Sequence, residues 1–162
     1  MEYTPMHGIG NAYVMIGGEI NEPEKQSVIL ASKYKTDGII LVLPSETCDV
    51  KMRIFNADGS EAEMCGNGAR CICRYGYEFG LAGEIQRVET TAGLVIGERI
   101  SKRQYRVRLN DPTTIKLDYP LTVDGKEYAC SYVELGNPGI PHAVVPIEGL
   151  KEYPTRELFD LG

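Results

Sequence analysis

The sequence predicts an α+β protein, and three observations carry that reading. Strand-length apolar runs outnumber helical stretches along the 162 residues. Gly38-Ile39-Ile40-Leu41-Val42-Leu43 is apolar without interruption and rich in β-branched residues, the pattern of a strand buried on both faces, and Pro44 stops it. Asp124-Gly125, set between Leu121-Thr122-Val123 and a run from Lys126 to Leu135, is a strong hairpin signal.

The remaining elements follow in order. Ala12 to Ile16 is a short apolar run ended by Gly17-Gly18, hence a strand. Asn21 with Glu24 three residues on has the form of a capping box, and Pro23 suits a first helical turn, so a helix is expected to about Lys35. Val50 to Phe55 alternates and runs into Asn56-Ala57-Asp58-Gly59, which is turn chemistry. A second helix is expected from Gly66 or Asn67 to Phe79. Ala69, Ile72, Tyr75 or Gly76, and Phe79 fall on one stripe, Arg70, Arg74 and Glu78 on another, and Gly80 supplies the stop. Strands recur at Arg87–Thr91, Leu94–Ile100 and Gln104–Leu109. Asn110-Asp111-Pro112 breaks the pattern and divides the chain into 1–111 and 112–162. The second unit adds a strand at Ala143–Val145 and the start of a helix at Thr155 to Leu161. At about fifty residues it is small for a core of its own, so it is expected to lean on the first unit or to open something larger.

Composition narrows the function. Hydrophobic residues make up 43%, which argues against disorder. Seventeen Lys+Arg against 23 Asp+Glu give a net charge of −6, and no basic block is present. Nucleic acid and anionic membrane are therefore not expected as partners. No apolar run approaches the ~20 residues of a membrane helix, and Met1 to Pro5 has no basic n-region. A soluble, cytoplasmic protein is expected.

The informative stretch runs from Asn56 to Cys71. Cys65 stands just before a helix whose first turn is Gly66-Asn67-Gly68. Free backbone N–H groups and the positive end of the helix dipole lie there, a setting that stabilises a thiolate. The same amides can hold a carboxylate or phosphate, and the glycines let a ligand approach. A thiol beside an anion cradle suits a nucleophile, or a base working next to a bound carboxylate. Taken alone, Cys65 reads equally well as a buried thiol. Cys71 and Cys73, inside the helix, read as small buried hydrophobes. Cys-x5-Cys-x-Cys lacks a Cys-x2-Cys knuckle and only His7 and His142 could assist, so no metal is expected. The odd count of five cysteines, without a secretion signal, gives no disulfide framework. His7 and His142 read as structural, Asn11, Asn56 and Asn137 as turn formers or ligand contacts, and Glu61 and Glu63 as solvated carboxylates.

Asn56-Ala57-Asp58-Gly59-Ser60-Glu61 followed by Cys65-Gly66-Asn67-Gly68-Ala69-Arg70-Cys71 resembles the signature of the diaminopimelate epimerase family. Met6-His7-Gly8-Ile9-Gly10-Asn11 is similar to that family's first motif, and Gly136-Asn137-Pro138 with Pro141-His142-Ala143-Val144 to its Gly-Asn-Pro-His segment. The resemblance implies a cofactor-independent isomerase that inverts the α-carbon of diaminopimelate, an amino-acid substrate, for lysine and cell-wall precursor synthesis. It implies lobes made of a mixed sheet curled around a central helix, with the site in the cleft between two of them. Cys65 matches one of the family's two acid/base thiols. Gly66 and Asn67 match the amides that hold the reacting carboxylate, and Asn11, Asn56 and Asn137 match substrate-binding side chains.

The sequence departs from the family in several places. Nothing after His142 resembles the later Cys-Gly-Thr-Gly segment that carries the second thiol. The chain is therefore expected to be the first lobe plus the opening of an incomplete second. A second copy or a missing lobe would have to supply the other thiol. Gly139-Ile140 is inserted ahead of His142, Lys35-Thr36-Asp37-Gly38 replaces a glycine-rich approach, and Ala12 stands where an acidic or small polar residue is common. A related racemase or isomerase of the same fold, and a ligand-binding fragment without turnover, are the alternative readings.

Overall fold

Two crossovers shape the first unit. The computed structural model describes residues 3–137 and 139–152. A hairpin of β1 (Tyr3–Gly8) and β2 (Asn11–Gly17) opens the chain, and helix α1 (Pro23–Tyr34) carries it to β3 (Gly38–Leu43), parallel to β2. β4 (Val50–Asn56) returns antiparallel, with the two-residue β5 (Glu61–Ala62) beside it. Helix α2 (Gly66–Glu78) then crosses to β6 (Ile85–Thr90), parallel to β4, and β7 (Gly93–Arg99) and β8 (Tyr105–Arg108) complete the sheet as antiparallel neighbours. The strand order is β1-β2-β3-β4-β6-β7-β8, with β5 paired to β4 off this path.

The two helices take opposite faces, which explains the uninterrupted apolar strands. Val14, Ile16, Ile39, Leu41, Leu43 and Phe55 pack with Leu30 of α1. Their strand neighbours Tyr13, Met15, Ile40, Val42, Val50, Met52 and Ile54 pack with Ala69, Cys71, Ile72, Cys73 and Tyr75 of α2. This is the period-2 alternation of strands with both faces covered. α2 touches β1, β2, β3, β4, β6, β7 and β8, so the sheet curls around it. Its enclosure needs close backbone approach: a Cβ on Gly97 of β7 would sit 2.1 Å from Cys73 Sγ.

Helix ends depart in part from expectation. At α1, Glu22 rather than Asn21 occupies the N-cap, in a left-handed conformation with no side-chain cap bond, so the capping box does not form. Pro23 does open the helix. α2 ends at Glu78 with Gly80 at φ 69, and the Leu81 and Gly80 amides donate to the carbonyls of Gly76 and Tyr77, the Schellman arrangement. Phe79 lies outside the buried stripe: it is exposed and stacks on Tyr75 at 4.1 Å. Strands β1 and β5 were not anticipated. β1 carries Pro5 and little apolar alternation, and β5 is too short to show a period.

The chain divides into two compact units, Met1–Asp111 and Pro112–Gly162. The second holds a three-stranded antiparallel sheet of β9 (Pro112–Val123), β10 (Lys126–Leu135) and β11 (Ile140–Val144), in the order β11-β10-β9. Its hairpin turns at Asp124 and Gly125, both at positive φ, as a type I′ turn requires. Ile115 and Leu117, on one face of β9, are 60% and 71% exposed; three strands alone have little with which to cover them. The helix expected at Thr155 to Leu161 lies outside the described residues.

The contact of Gly97 with Cys73 is testable. Gly97→Ala should lower stability by about 1–3 kcal/mol through overpacking. In a Cys73→Ala background the nearest atoms to the new methyl would be the residue-73 Cβ at 3.3 Å and Val107 Cγ1 at 4.0 Å, and urea titration should show a smaller loss. Equal losses in both backgrounds would contradict the packing account.

Candidate active site

Cys65 is the N-cap of α2. Its extended backbone, φ −141 and ψ 123, turns the side chain back over the first turn, where Sγ accepts from the Gly68 amide at 3.5 Å. The Cys65 carbonyl accepts the first intrahelical bond, from the Ala69 amide at 2.8 Å. A helix leaves its first amides without intrahelical acceptors, so Gly66 and Asn67 keep N–H groups for a ligand beside the sulfur. Cys65, Gly66 and Asn67 are part-buried, whereas Gly68 is buried and packs tightly. A Cβ at Gly68 would meet the methyls of Ile40 and Ile54 at 3.0 and 3.3 Å. A Cβ at Gly8, where β1 ends, would meet the Asn67 carbonyl at 2.9 Å. These glycines let the polar start of the helix seat against the sheet.

Asn11 and Tyr13 alternate along β2 so that both face α2. The Asn11 amide is oriented by Asp37, just before β3. Asp37 Oδ2 accepts from Asn11 Nδ2 at 2.9 Å and from the Ala12 amide at 2.7 Å. The Ala12 amide, then Asn11, hold the Asp37 carboxyl below the usual carboxylate range. Asn11 Oδ1 therefore points the other way and accepts from Asn67 Nδ2 at 3.2 Å, while Asn67 Oδ1 accepts from Arg70. Carboxylate, two amides and guanidinium form one directional ladder that fixes both amide orientations.

Three of the anticipated residues, Asn11, Cys65 and Asn67, thus meet directly, with Gly66 beside them. Asn56, at the end of β4, stands in the same cross-strand row as Gly38 and Tyr13. Two strand spacings place it roughly 10 Å from Tyr13. Its amide donates to Ser60 Oγ at 3.0 Å and braces the turn into β5. Asn137 lies in the second unit, exposed in the turn after β10, and Pro138 lies outside the described residues. His142, on β11, is exposed, with Nδ1 3.0 Å from the Ile140 carbonyl, and His7 accepts from the Gly10 amide at 3.4 Å within the β1–β2 corner. Tyr13 and Asp37 were not singled out from sequence. Tyr13 sits inside an apolar run, yet its spacing of two from Asn11 was the available signal.

Cys71 and Cys73 are buried in the core around α2. Desolvation, then the neighbouring Cys65, pushes Cys71 up to about 11; desolvation, then Cys71, pushes Cys73 up to about 12. A cleft of about 410 Å³ bounded by His7, Arg70, Cys71, Arg74, Arg103 and Tyr105 lies farther along the helix, and Cys65 does not line it. Among the described residues no group of three or more His, Cys, Asp or Glu could hold a metal ion, and no helix is long and apolar enough to cross a membrane.

These environments give two expectations. Iodoacetamide at neutral pH should modify Cys65 well before the buried Cys71, Cys73 and Cys130, as peptide mass spectrometry would read; labelling of the buried thiols first would contradict the structure. Unfolded thiols titrate near about 8.5, so above that pH the unfolded chain sheds protons that native Cys71 and Cys73 retain. Their contribution to stability is full below about pH 8.5 and falls as pH rises toward 11. The urea midpoint should drop between about pH 8 and pH 10, and drop less in Cys71→Ala/Cys73→Ala.

Comparison with known proteins identifies the fold and the family. The diaminopimelate epimerase family profile matches residues 3–115. The diaminopimelate epimerase of Acetivibrio thermocellus is 33% identical over 182 residues, an alignment covering 98% of this chain and 64% of that protein. That of Caldanaerobacter subterraneus subsp. tengcongensis is 36% identical over 179 residues, again 98% and 64%. The chain thus spans about 64% of the length of these curated relatives. Among solved structures, a hydroxyproline epimerase from Agrobacterium vitis superposes with a TM-score of 0.66 at 18% identity, covering 92% of this chain and 52% of that one. A Bacillus anthracis phenazine biosynthesis protein of the PhzF family gives 0.61 at 21%, covering 92% and 55%. At those identities the two structures speak for the fold alone, a mixed sheet curled around a helix. With the profile running through β1, the Cys65 turn and α2, the chain belongs to the diaminopimelate epimerase family.

Proposed function

We propose that residues 1–111 form the first lobe of a cofactor-independent diaminopimelate epimerase, interconverting the LL and meso isomers, with Cys65 as one of its two acid/base thiols. The observation that carries the reading is the position of Cys65 Sγ at the N-cap of α2, beside the amides of Gly66 and Asn67. An α-proton beside an ionised carboxylate is very weakly acidic. As a base removes it, charge moves onto the carboxylate, and amides already aimed there bind that charge more strongly in the transition state. The thiolate takes the α-proton to become a thiol, and a thiol on the opposite face returns a proton to carbon with inverted configuration.

In this reading Gly66 and Asn67 hold the reacting carboxylate, and Asn11, Asn56 and Asn137 bind the substrate's polar groups. The directional ladder from Asp37 to Arg70 supports that role, because it holds Asn11 and Asn67 before a ligand arrives. Residues 112–162 begin a second lobe. The apolar face of Ile115 and Leu117 supports this, since further chain would cover it. The second thiol comes from that lobe's remainder or from another copy, and the product serves lysine and cell-wall precursor synthesis in the cytoplasm.

The test uses an enzyme completed with the second-lobe segment of a relative, followed by proton NMR of LL-diaminopimelate in D2O. Cys65→Ser should lower isomer conversion by at least about 100-fold while leaving the circular dichroism spectrum unchanged. An unchanged rate would overturn the assignment.

A further inference from the structure

We propose that the Tyr13 hydroxyl is the proton-following partner of Cys65, donating its single hydrogen to the sulfur when Cys65 is a thiolate and to Asn11 Oδ1 when Cys65 carries its own proton. The inference rests on the reading of Cys65 as an acid/base thiol and adds a positioning residue to that site. Tyr13 Oη lies 3.1 Å from Cys65 Sγ and 2.9 Å from Asn11 Oδ1. A phenol has one proton and cannot serve both acceptors at once. Sγ is itself 3.5 Å from Asn11 Oδ1. The three atoms therefore form a closed triangle in which every protonation state of the sulfur has a satisfied arrangement.

The proton count balances without ionising the tyrosine. When the thiolate takes a proton from carbon, an S–H bond forms and the C–H bond breaks, with the electron pair left on the substrate. The Tyr13 hydrogen then swings from Sγ to Asn11 Oδ1, and the new S–H donates to the phenol oxygen. The reverse transfer reverses each rotation. Burial, then the adjoining Cys65, holds the Tyr13 phenol well above its usual pKa, so it keeps its proton throughout.

The surroundings keep this exchange local. Asp37 orients Asn11 so that its carbonyl rather than its NH2 faces the triangle. From α2, the Gly68 amide also donates to Sγ, and Cys71 and Arg70 are the nearby titratable or charged groups on the helix. Asp37 acts on Tyr13 from the start of β3. Tyr13 is almost wholly buried in the core around α2, so removing only its oxygen leaves the ring's packing in place.

The experiment is the pH profile of Cys65 alkylation by iodoacetamide, read peptide by peptide in the 162-residue chain. Tyr13→Phe should slow alkylation of Cys65 about tenfold at neutral pH, through loss of a hydrogen bond to the thiolate, with the same limiting rate at high pH. An unmoved profile in a natively folded Tyr13→Phe would overturn the proposal. A second measurement holds if that variant fails to fold. In wild-type chain labelled with 13Cζ-tyrosine, the Tyr13 resonance should move over the pH range in which Cys65 becomes reactive, and this movement should vanish in Cys65→Ala. A resonance indifferent to Cys65 would equally overturn it. Both readouts need no substrate. If Cys65→Ser leaves turnover intact while this coupling is observed, the assigned reaction fails and the Tyr13–Cys65 partnership stands.

Discussion

Everything at this site depends on a helix being held inside a sheet. α2 has strands on all the sides that β1, β2, β3, β4, β6, β7 and β8 provide, which buries Ile72, Ala69 and Cys73 completely. Full burial of a side chain such as Ile72 contributes about 1.5–3 kcal/mol, and past the first turn even the buried Gln86 is accommodated, donating to the Cys73 carbonyl at 2.7 Å. The first turn is where the enclosure becomes costly, because helix starts carry unpaired donors. Here Cys65 takes one of them, the Gly68 amide, and the proposed site offers those of Gly66 and Asn67 to a ligand. The enclosure of the helix and the anion site proposed at its first turn meet at a single residue, the N-cap Cys65.

The polar ladder solves a second problem created by the same enclosure. A part-buried asparagine can flip its amide unless both ends are held. Asn11 is held by the Asp37 carboxylate at one end and Asn67 at the other, and Asn67 in turn by Arg70. The charges lie at the two ends of the ladder and the neutral groups face the sulfur. Charge-assisted bonds at both termini are the stronger kind, so the site's geometry is set by Asp37 and Arg70 without placing a formal charge against Sγ. Glycine permits the approach: Gly8 brings β1 against Asn67, and Gly38 leaves the row between Tyr13 and Asn56 without a side chain.

Much of this was legible in the residues. The doubly buried β3, the start of α2 at Gly66, its stop at Gly80 and the Asp124-Gly125 hairpin all follow from local patterns whose physics is local. Cys65 before a glycine-rich helix start was legible for the same reason. What escaped was set by tertiary neighbours. β1 forms because β2 needs an edge partner, and its own residues carry little strand signal. The Asn21 cap failed because Glu22 turns left-handed and takes the N-cap itself. Phe79 left the helical stripe because the last turn emerges from the sheet, where stacking on Tyr75 replaces burial. Tyr13 read as one more apolar strand residue. Only the fold shows that its hydroxyl ends beside a sulfur 52 residues away in sequence.

In the proposed site, the amides of Gly66 and Asn67, beside Cys65, are where a carboxylate binds. A 15N-resolved titration of the labelled chain with LL-diaminopimelate reads it most directly. Saturable movement of the Gly66 and Asn67 amide resonances ahead of all others in the first unit is expected, with Gly68, already bonded to Sγ, moving less. Saturable binding that leaves those two amides unmoved, with the largest shifts elsewhere in the first unit, would contradict it.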